Sequence, residues 1–91
     1  MQETIIQNCK YFINNSDLLG LQEYYETITE EKVNFDFIFQ KVYLHACLKK
    51  KIEIVEWLQT IFKTLEPISQ IAMRQIFSYG RHLLSLRPTN I

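Results

Sequence analysis

The chain has 91 residues, ten lysines and arginines against ten aspartates and glutamates, and 47% hydrophobic residues. This hydrophobic content without net charge excludes an intrinsically disordered chain, and the length predicts a single domain spanning residues 1–91. Only two glycines and two prolines are present, where average usage of ~7% and ~5% would supply about six and five. Folds rich in strands need many turn residues, so long helices are expected instead.

A first pair of helices is predicted over residues 1–28. One wide apolar face at helical spacing marks the first helix: Ile5, Ile6, Cys9, Phe12 and Ile13. The polar segment 14–17 interrupts it, and Ser16 or Asp17 is expected to cap the second helix. The apolar residues of that second helix are Leu18, Leu21, Tyr24, Tyr25 and Ile28.

A second pair of helices is predicted over residues 36–65. The preceding segment, 29–34, has no long hydrophobic period and predicts a loop. Asp36 is expected to cap the third helix, whose apolar residues are Phe39, Val42, Tyr43, Ala46 and Cys47. Three consecutive lysines at 49–51 predict a tight corner, and the fourth helix follows with Ile52, Val55, Leu58, Ile61, Phe62 and Leu65.

A third pair is predicted over residues 67–87. Pro67 suits the first turn of a fifth helix, which is expected to run from Ile68 to about Tyr79. Gly80 is expected to end this helix, because glycine is common just past a helix C-terminus. A short sixth helix should then end at Pro88. The sequence therefore predicts an all-α protein made of three helix pairs.

The first two pairs match each other when the chain is aligned with itself. Residues 16–25 align with residues 50–59, so that Leu18 meets Ile52 and each segment opens a helix after a polar corner. The offset of this alignment is close to the ~33 residues of an ankyrin repeat. A repeated helix pair is therefore expected.

Each matching segment also resembles ankyrin separately. Residues 46–58, A-C-L-K-K-K-I-E-I-V-E-W-L, are similar to the pattern A-C-x-N-G-H-L-E-I-V-K-W-L of ankyrin repeats from large DNA viruses. Residues 17–23, D-L-L-G-L-Q-E, resemble the D-L-E-G-V-K-E that often opens the second helix of a first repeat. Residues 33–36, V-N-F-D, resemble the V-N-x-x-D tip of the hairpin between repeats if the spacing is shortened by one residue. The chain thus resembles a degenerate ankyrin-repeat protein.

The resemblance implies a short ankyrin-like solenoid of three stacked antiparallel helix pairs, with the irregular third pair as a cap. The corner glycine of the family is replaced by Ser16 and by Lys50, so a left-handed backbone there would be strained. The T-P-L-H motif is replaced by residues 41–44, K-V-Y-L. A small irregular helical bundle is the alternative architecture.

Nothing in the sequence indicates catalysis. His45 and His82 are far apart in the sequence, and no carboxylate lies at a spacing that would suggest a catalytic pair with either histidine. No glycine-rich phosphate-binding loop is present. The two cysteines and two histidines lack the C-x-x-C or H-x-x-x-H spacing that is typical of metal-binding sites. Neither an enzyme activity nor a metal or cofactor is therefore expected.

Cys9 and Cys47 are expected to be reduced thiols. Since the start of the chain has no signal-peptide pattern, a cytoplasmic or nuclear location is expected.

The zero net charge hides an uneven distribution. Residues 1–31 have one lysine and six acids, residues 32–66 have six lysines and four acids, and residues 67–91 have three arginines and no acid. Domains that depend on phosphate contacts are usually strongly basic overall, so nucleic-acid binding is not favoured despite the lysines at 49–51.

No segment approaches the ~20 apolar residues of a transmembrane helix, so no membrane partner is expected.

Binding to another protein is the remaining hypothesis. The resemblance implies binding through hairpin tips and first-helix faces on a concave surface. Phe35, Phe37 and Phe39 cannot all face inward on one helix. Phe39 is expected in the core, which leaves one of Phe35 and Phe37 near the surface as an anchor. The candidate partner-binding residues are Phe35, Phe37, Gln40, Lys41 and Tyr25.

The sequence therefore predicts a non-catalytic protein–protein interaction module that binds a host or viral protein. One alternative is a small structural subunit that cements a larger assembly, including assembly with copies of itself. A nucleic-acid accessory protein is a third and less favoured hypothesis.

Overall fold

The computed structural model describes residues 2–28 and 35–85. These residues form no strand and six helices: α1 Gln2–Asn14, α2 Leu18–Ile28, α3 Phe35–Leu48, α4 Ile52–Phe62, α5 Pro67–Ala72 and α6 Arg74–Ser85. The predicted all-α class is therefore confirmed. The predicted loop at 29–34, the V-N part of the hairpin-tip resemblance and the predicted helix end at Pro88 lie outside the described residues.

The core is built around α3. This helix packs against α1, α4 and α6, while α2 packs against α1 and α6 packs against α4. Its apolar residues recur at helical spacing, so one side of the helix is buried: Ile38, Phe39, Val42, Tyr43, Ala46 and Cys47. The prediction that Phe39 joins the core is confirmed. Since α3 packs extensively against three other helices, it positions most of the surfaces described below.

Two corners of the backbone have the same geometry. Ser16 between α1 and α2 has a φ of 54°, and Lys50 between α3 and α4 has a φ of 56°. After each corner residue, the next amide donates to the carbonyl five positions before it. Asp17 N lies 2.8 Å from Phe12 O, and the equivalent bond at the second corner is 3.1 Å. Both corner residues that replace the glycine of the family therefore adopt the left-handed backbone in which a residue with a β-carbon is strained.

We expect Lys50→Gly to raise the free energy of unfolding. A residue with a β-carbon in the left-handed region costs about 1–2 kcal/mol, and the greater freedom of glycine in the unfolded chain offsets about 0.5–1 kcal/mol of this. A net gain of about 0.5–1 kcal/mol should appear in urea unfolding followed by circular dichroism. Lys50→Ala is the matched control, because it removes the same side chain but keeps the β-carbon. Equal stability of the two variants would contradict the strain argument.

The beginnings of α2 and α3 differ from each other. Asp17 precedes α2, and its Oδ1 accepts the backbone N–H of Gly20 at 2.9 Å, so the predicted cap of this helix is confirmed. Asp36 lies inside the first turn of α3, which begins at Phe35, so the prediction that Asp36 caps this helix is wrong. Its Oδ2 instead accepts a hydrogen bond from Ser69 Oγ of α5 at 2.7 Å. This contact ties α5 to α3.

The third pair of helices also differs from the prediction. α5 ends at Ala72, only Met73 separates it from α6, and α6 continues through Gly80 to Ser85. The prediction that Gly80 ends a helix is therefore wrong. Gly80 is buried because it lies against the side chain of Tyr43, where a β-carbon would overlap the phenol. The absence of a β-carbon at Gly80 allows α3 and α6 to approach each other closely, and the glycine does not form a turn.

At the offset that places Ser16 on Lys50, the segment from Met73 through α6 repeats part of the burial pattern of α1 and α3. Ile5, Phe39 and Met73 are buried at one equivalent position, and Ala46 and Gly80 are buried at another. By this register α6 corresponds to the first helices α1 and α3, and α5 lies in the segment that joins it to α4. The stacking of an ankyrin-like solenoid stays a prediction.

Candidate functional site

An exposed apolar stripe runs along α3 on the side opposite its core. Phe37, Leu44 and Leu48 are exposed by 41%, 38% and 62%. They are spaced by seven and four positions, with Lys41 between them, so they share one face of the helix. We use the term α1–α3 face for this stripe together with the adjoining residues of α1, namely Glu3, Gln7, Lys10, Asn14, Phe37, Lys41, Leu44 and Leu48.

Phe37 and Lys41 contact each other at one end of the α1–α3 face. The Lys41 ammonium lies 5.5 Å from the centroid of the Phe37 ring. Such a cation–π contact at an exposed site contributes about 0.5–1 kcal/mol. The two side chains line a shallow pocket with residues of α1: Glu3, Ile6, Gln7 and Lys10. An aromatic ring and two ammonium groups therefore share one depression in the surface.

His45 joins α1 to α3 at the other end of the face. Its Nε2 lies 2.8 Å from Oδ1 of Asn14. Burial lowers the pKa of His45 below its ordinary value of 6.5, and the positive charges of Lys10 and Lys49 lower this pKa further. The imidazole is therefore neutral at neutral pH, and its Nε2–H can donate to Asn14. The charge at this end of the face comes from the lysines.

The two helices beside α3 are polar where α3 is apolar. On α1, the positions equivalent by the repeat offset are Glu3, Gln7, Lys10 and Asn14. On α6, the positions equivalent to Lys41, Leu44 and Leu48 are Gln75, Ser78 and His82, all exposed. The apolar stripe is therefore confined to the central helix and bordered by polar side chains.

Tyr25 and Phe35 belong to a different cluster, which is aromatic and half-buried. The Tyr25 ring lies edge-on to Phe35 at 5.8 Å and to Trp57 at 5.5 Å, measured between ring centroids. The ring of Phe35 also stacks with Phe39 at 6.1 Å. These rings and other apolar residues of α1 to α4 line a cavity of about 20 Å³. That volume suits about one water molecule, so the cluster serves packing.

The structure thus separates the five predicted partner-binding residues. Phe37 and Lys41 lie together on the α1–α3 face, and Gln40 is half-buried on the same helix. Phe35 and Tyr25 pack into the aromatic cluster. Of Phe35 and Phe37, the ring left near the surface is that of Phe37.

Sequence reasoning missed two members of the apolar stripe, Leu44 and Leu48. Both are leucines on a helix whose other apolar residues form the core, so composition gave no reason to place them outside. Their spacing from Phe37 is the signal that could have found them, because residues seven and eleven positions apart lie on one helix face.

Neither cysteine has the properties of a reactive group. Cys9 and Cys47 are buried free thiols, as predicted. Burial raises the pKa of the Cys9 thiol to about 12 and that of the Cys47 thiol to about 11. The thiolate is the nucleophile and the metal ligand, so both side chains are inert at neutral pH. Within residues 2–28 and 35–85, no three His, Cys, Asp or Glu side chains come together as a metal group.

Comparison with known proteins gives no match, whether to a protein-family model, to a curated protein or to a solved structure. In the part of the chain that the structure describes, no helix has the length and apolar content needed to cross a bilayer. The function proposed below therefore rests on the geometry of the α1–α3 face and on the sequence resemblance.

Proposed function

We propose that this chain is a non-catalytic protein–protein interaction module whose α1–α3 face binds a partner protein. The observation that carries the proposal is the exposed stripe of Phe37, Leu44 and Leu48 on the central helix, bordered by polar side chains on both sides. Protein interfaces share this anatomy, with an apolar centre poor in charge inside a polar rim. A few apolar anchors at the centre usually contribute most of the binding free energy.

The resemblance to ankyrin repeats supports the same surface. The family binds other proteins on a concave surface that includes the first-helix faces, and α1 and α3 are the first helices of the two matching pairs. The equal corners at Ser16 and Lys50 are consistent with such a repeat. By this resemblance the partner is a host or viral protein, which the chain meets in the cytoplasm or nucleus.

We expect Leu44→Gln combined with Leu48→Gln to weaken partner binding at least roughly tenfold. Both side chains are exposed, so the free energy of unfolding should change by no more than about 0.5 kcal/mol. A partner is first captured by the wild-type chain from its native host cell, then purified and titrated against each variant by calorimetry.

The matched control is Ile68→Gln combined with Ile71→Gln. These isoleucines are exposed by 74% and 72% on α5 and are not among the residues that define the α1–α3 face, so the same chemical change there should leave partner binding unaltered. Weakening by the control alone, or equal binding by the wild type and the Leu44/Leu48 variant, would argue against the α1–α3 face.

The same two isoleucines favour a second candidate function, a structural subunit that assembles with further copies of itself. Ile68 and Ile71 are three positions apart on one helix face, and exposed apolar groups of this size favour burial against another chain. Sedimentation distinguishes the two functions. An interaction module is a monomer at low micromolar concentration, whereas oligomers that the α5 control variant dissociates would favour the structural function.

A further inference from the structure

Acidic side chains are concentrated on the second helices of the two matching pairs. α2 and α4 contain Glu23, Glu26, Glu53 and Glu56, and neither helix contains a lysine or arginine. Negative charge therefore predominates along these two helices, which disfavours an acidic partner there. A basic partner is attracted there, away from the apolar stripe.

The α1–α3 face has the opposite charge. Lys10 and Lys41 line its pocket, and Lys49 follows directly after Leu48 at the end of the apolar stripe. The proximity of Lys10 and Lys49 is visible at His45, whose pKa both charges lower. Glu3 is the one acid among the residues that define the face. Positive charge thus lies within the apolar stripe, beside it on α1 and at its end, although the whole chain is neutral.

We infer that the α1–α3 face recognises an acidic peptide segment that also carries apolar side chains. This inference rests on the proposed function and specifies the chemistry of its partner. The apolar side chains of the segment pack on Phe37, Leu44 and Leu48, and its carboxylates approach Lys10, Lys41 and Lys49. Complementary charge of this kind directs encounter and excludes partners of the wrong sign.

A peptide fits this face better than a nucleic acid does. Affinity for a phosphate backbone comes from many cationic contacts, and here three lysines are accompanied by Glu3. The centre of the face consists of exposed leucines and one phenylalanine, which pair with apolar side chains. The helix from Phe37 to Leu48 is about 16 Å long. A segment of about 11 residues in a helix, or about five in an extended chain, covers that length.

The test is a peptide-display selection that uses the whole wild-type chain as bait. The library consists of random peptides of about 12 residues, long enough to span the stripe as a helix. Selected peptides are synthesised with a fluorescent label, and their affinities are measured by anisotropy. The inference predicts enrichment of Asp and Glu together with Leu, Phe and Trp.

Two sets of variants test whether the selected peptides bind at the α1–α3 face. Leu44→Gln combined with Leu48→Gln should abolish binding of the selected peptides. Lys10→Glu, Lys41→Glu and Lys49→Glu combined should weaken binding at least roughly tenfold. The control Lys63→Glu makes one such change at an exposed lysine after α4, and it should alter binding less than about twofold and less than any of the three single variants does. Binding should also weaken as salt rises from about 50 to about 300 mM, because screening shortens the reach of the lysine charges.

The remaining outcomes separate the inference from the proposed function. Selected peptides that lack acids but still require Leu44 and Leu48 would overturn the acidic partner and leave the proposed function standing. Peptides indifferent to both sets of variants would overturn both. A single-stranded DNA of about 20 nucleotides that displaces the acidic peptides and persists at ~200 mM salt would assign the face to nucleic acid instead.

Discussion

Tyr43→Ala is expected to lower the free energy of unfolding by about 3–5 kcal/mol, the range for truncating a large buried aromatic side chain. Tyr43 is 1% exposed and contacts both α4 and α6 from its place on α3. Its ring stacks with Phe39 at 5.7 Å, and its hydroxyl accepts a hydrogen bond from Gln59 of α4 at 3.1 Å. The Tyr43 side chain also lies against Gly80 of α6. Removing the ring therefore leaves a cavity where α3, α4 and α6 meet.

Tyr43→Phe separates the ring from the hydroxyl and keeps the prediction testable if the alanine variant fails to fold. The phenylalanine variant loses the bond from Gln59 and the long bond of 3.5 Å that the hydroxyl donates to Phe77 O, but retains the packing. It should therefore cost about 1 kcal/mol. Urea unfolding followed by circular dichroism and by Trp57 fluorescence measures both variants. A loss below about 1 kcal/mol for Tyr43→Ala would show that the junction of the three helices does not depend on this side chain.

Local patterns in the sequence were sufficient to predict that the first four helices exist, although the fourth was expected to include Leu65 and ends at Phe62. Their apolar faces recur at helical spacing. The first corner contains residues that compete for backbone hydrogen bonds, and the second contains three consecutive lysines. The resemblance to ankyrin repeats drew attention to Ser16 and Lys50, which stand at the corner glycine positions of the family, and both have a positive φ. These features involve residues close together in the chain, so the sequence displays them directly.

The last third of the chain was predicted less well because glycine has two structural uses. Gly80 was expected to end a helix, yet it lies in the middle of α6 beside Tyr43, which belongs to a distant part of the chain. Whether a glycine serves a turn or a close approach depends on what packs against it. A contact between distant segments supplies that information, and hydrophobic spacing within one helix does not.

The candidate site shows the same limit. Three phenylalanines at alternate positions predict that one ring is left outside the core, but both Phe35 and Phe37 remained possible. The structure places Phe35 against Tyr25 of α2, a contact between segments that the sequence does not display. Leu44 and Leu48 are apolar like the core residues of α3, and their exposure depends on α1 and α6 leaving that side of the helix uncovered.

Gly80→Ala is expected to lower the free energy of unfolding by about 2 kcal/mol, although alanine is the better helix former. In an open helix interior, alanine is favoured over glycine by about 1 kcal/mol. At Gly80 the added β-carbon would overlap the hydroxyl and ring of Tyr43. That ring is held by Phe39 and by the bond from Gln59, so it cannot move aside without loss. Overpacking of this kind costs about 1–3 kcal/mol or more, which outweighs the helix preference.

Two further variants determine whether the Tyr43 ring causes the loss. Ser78→Ala, at an exposed position of the same helix, should leave stability within about 0.5 kcal/mol of the wild type. In a Tyr43→Leu background the overlap is relieved, so Gly80→Ala should become neutral or stabilising by up to about 1 kcal/mol. The same loss in both backgrounds would mean that α6 requires glycine for a reason other than its approach to α3. Recovery of stability in the Tyr43→Leu background would show that the close approach of Gly80 to Tyr43 joins α6 to the rest of the core. The position of Gly80 in the sequence does not reveal this approach.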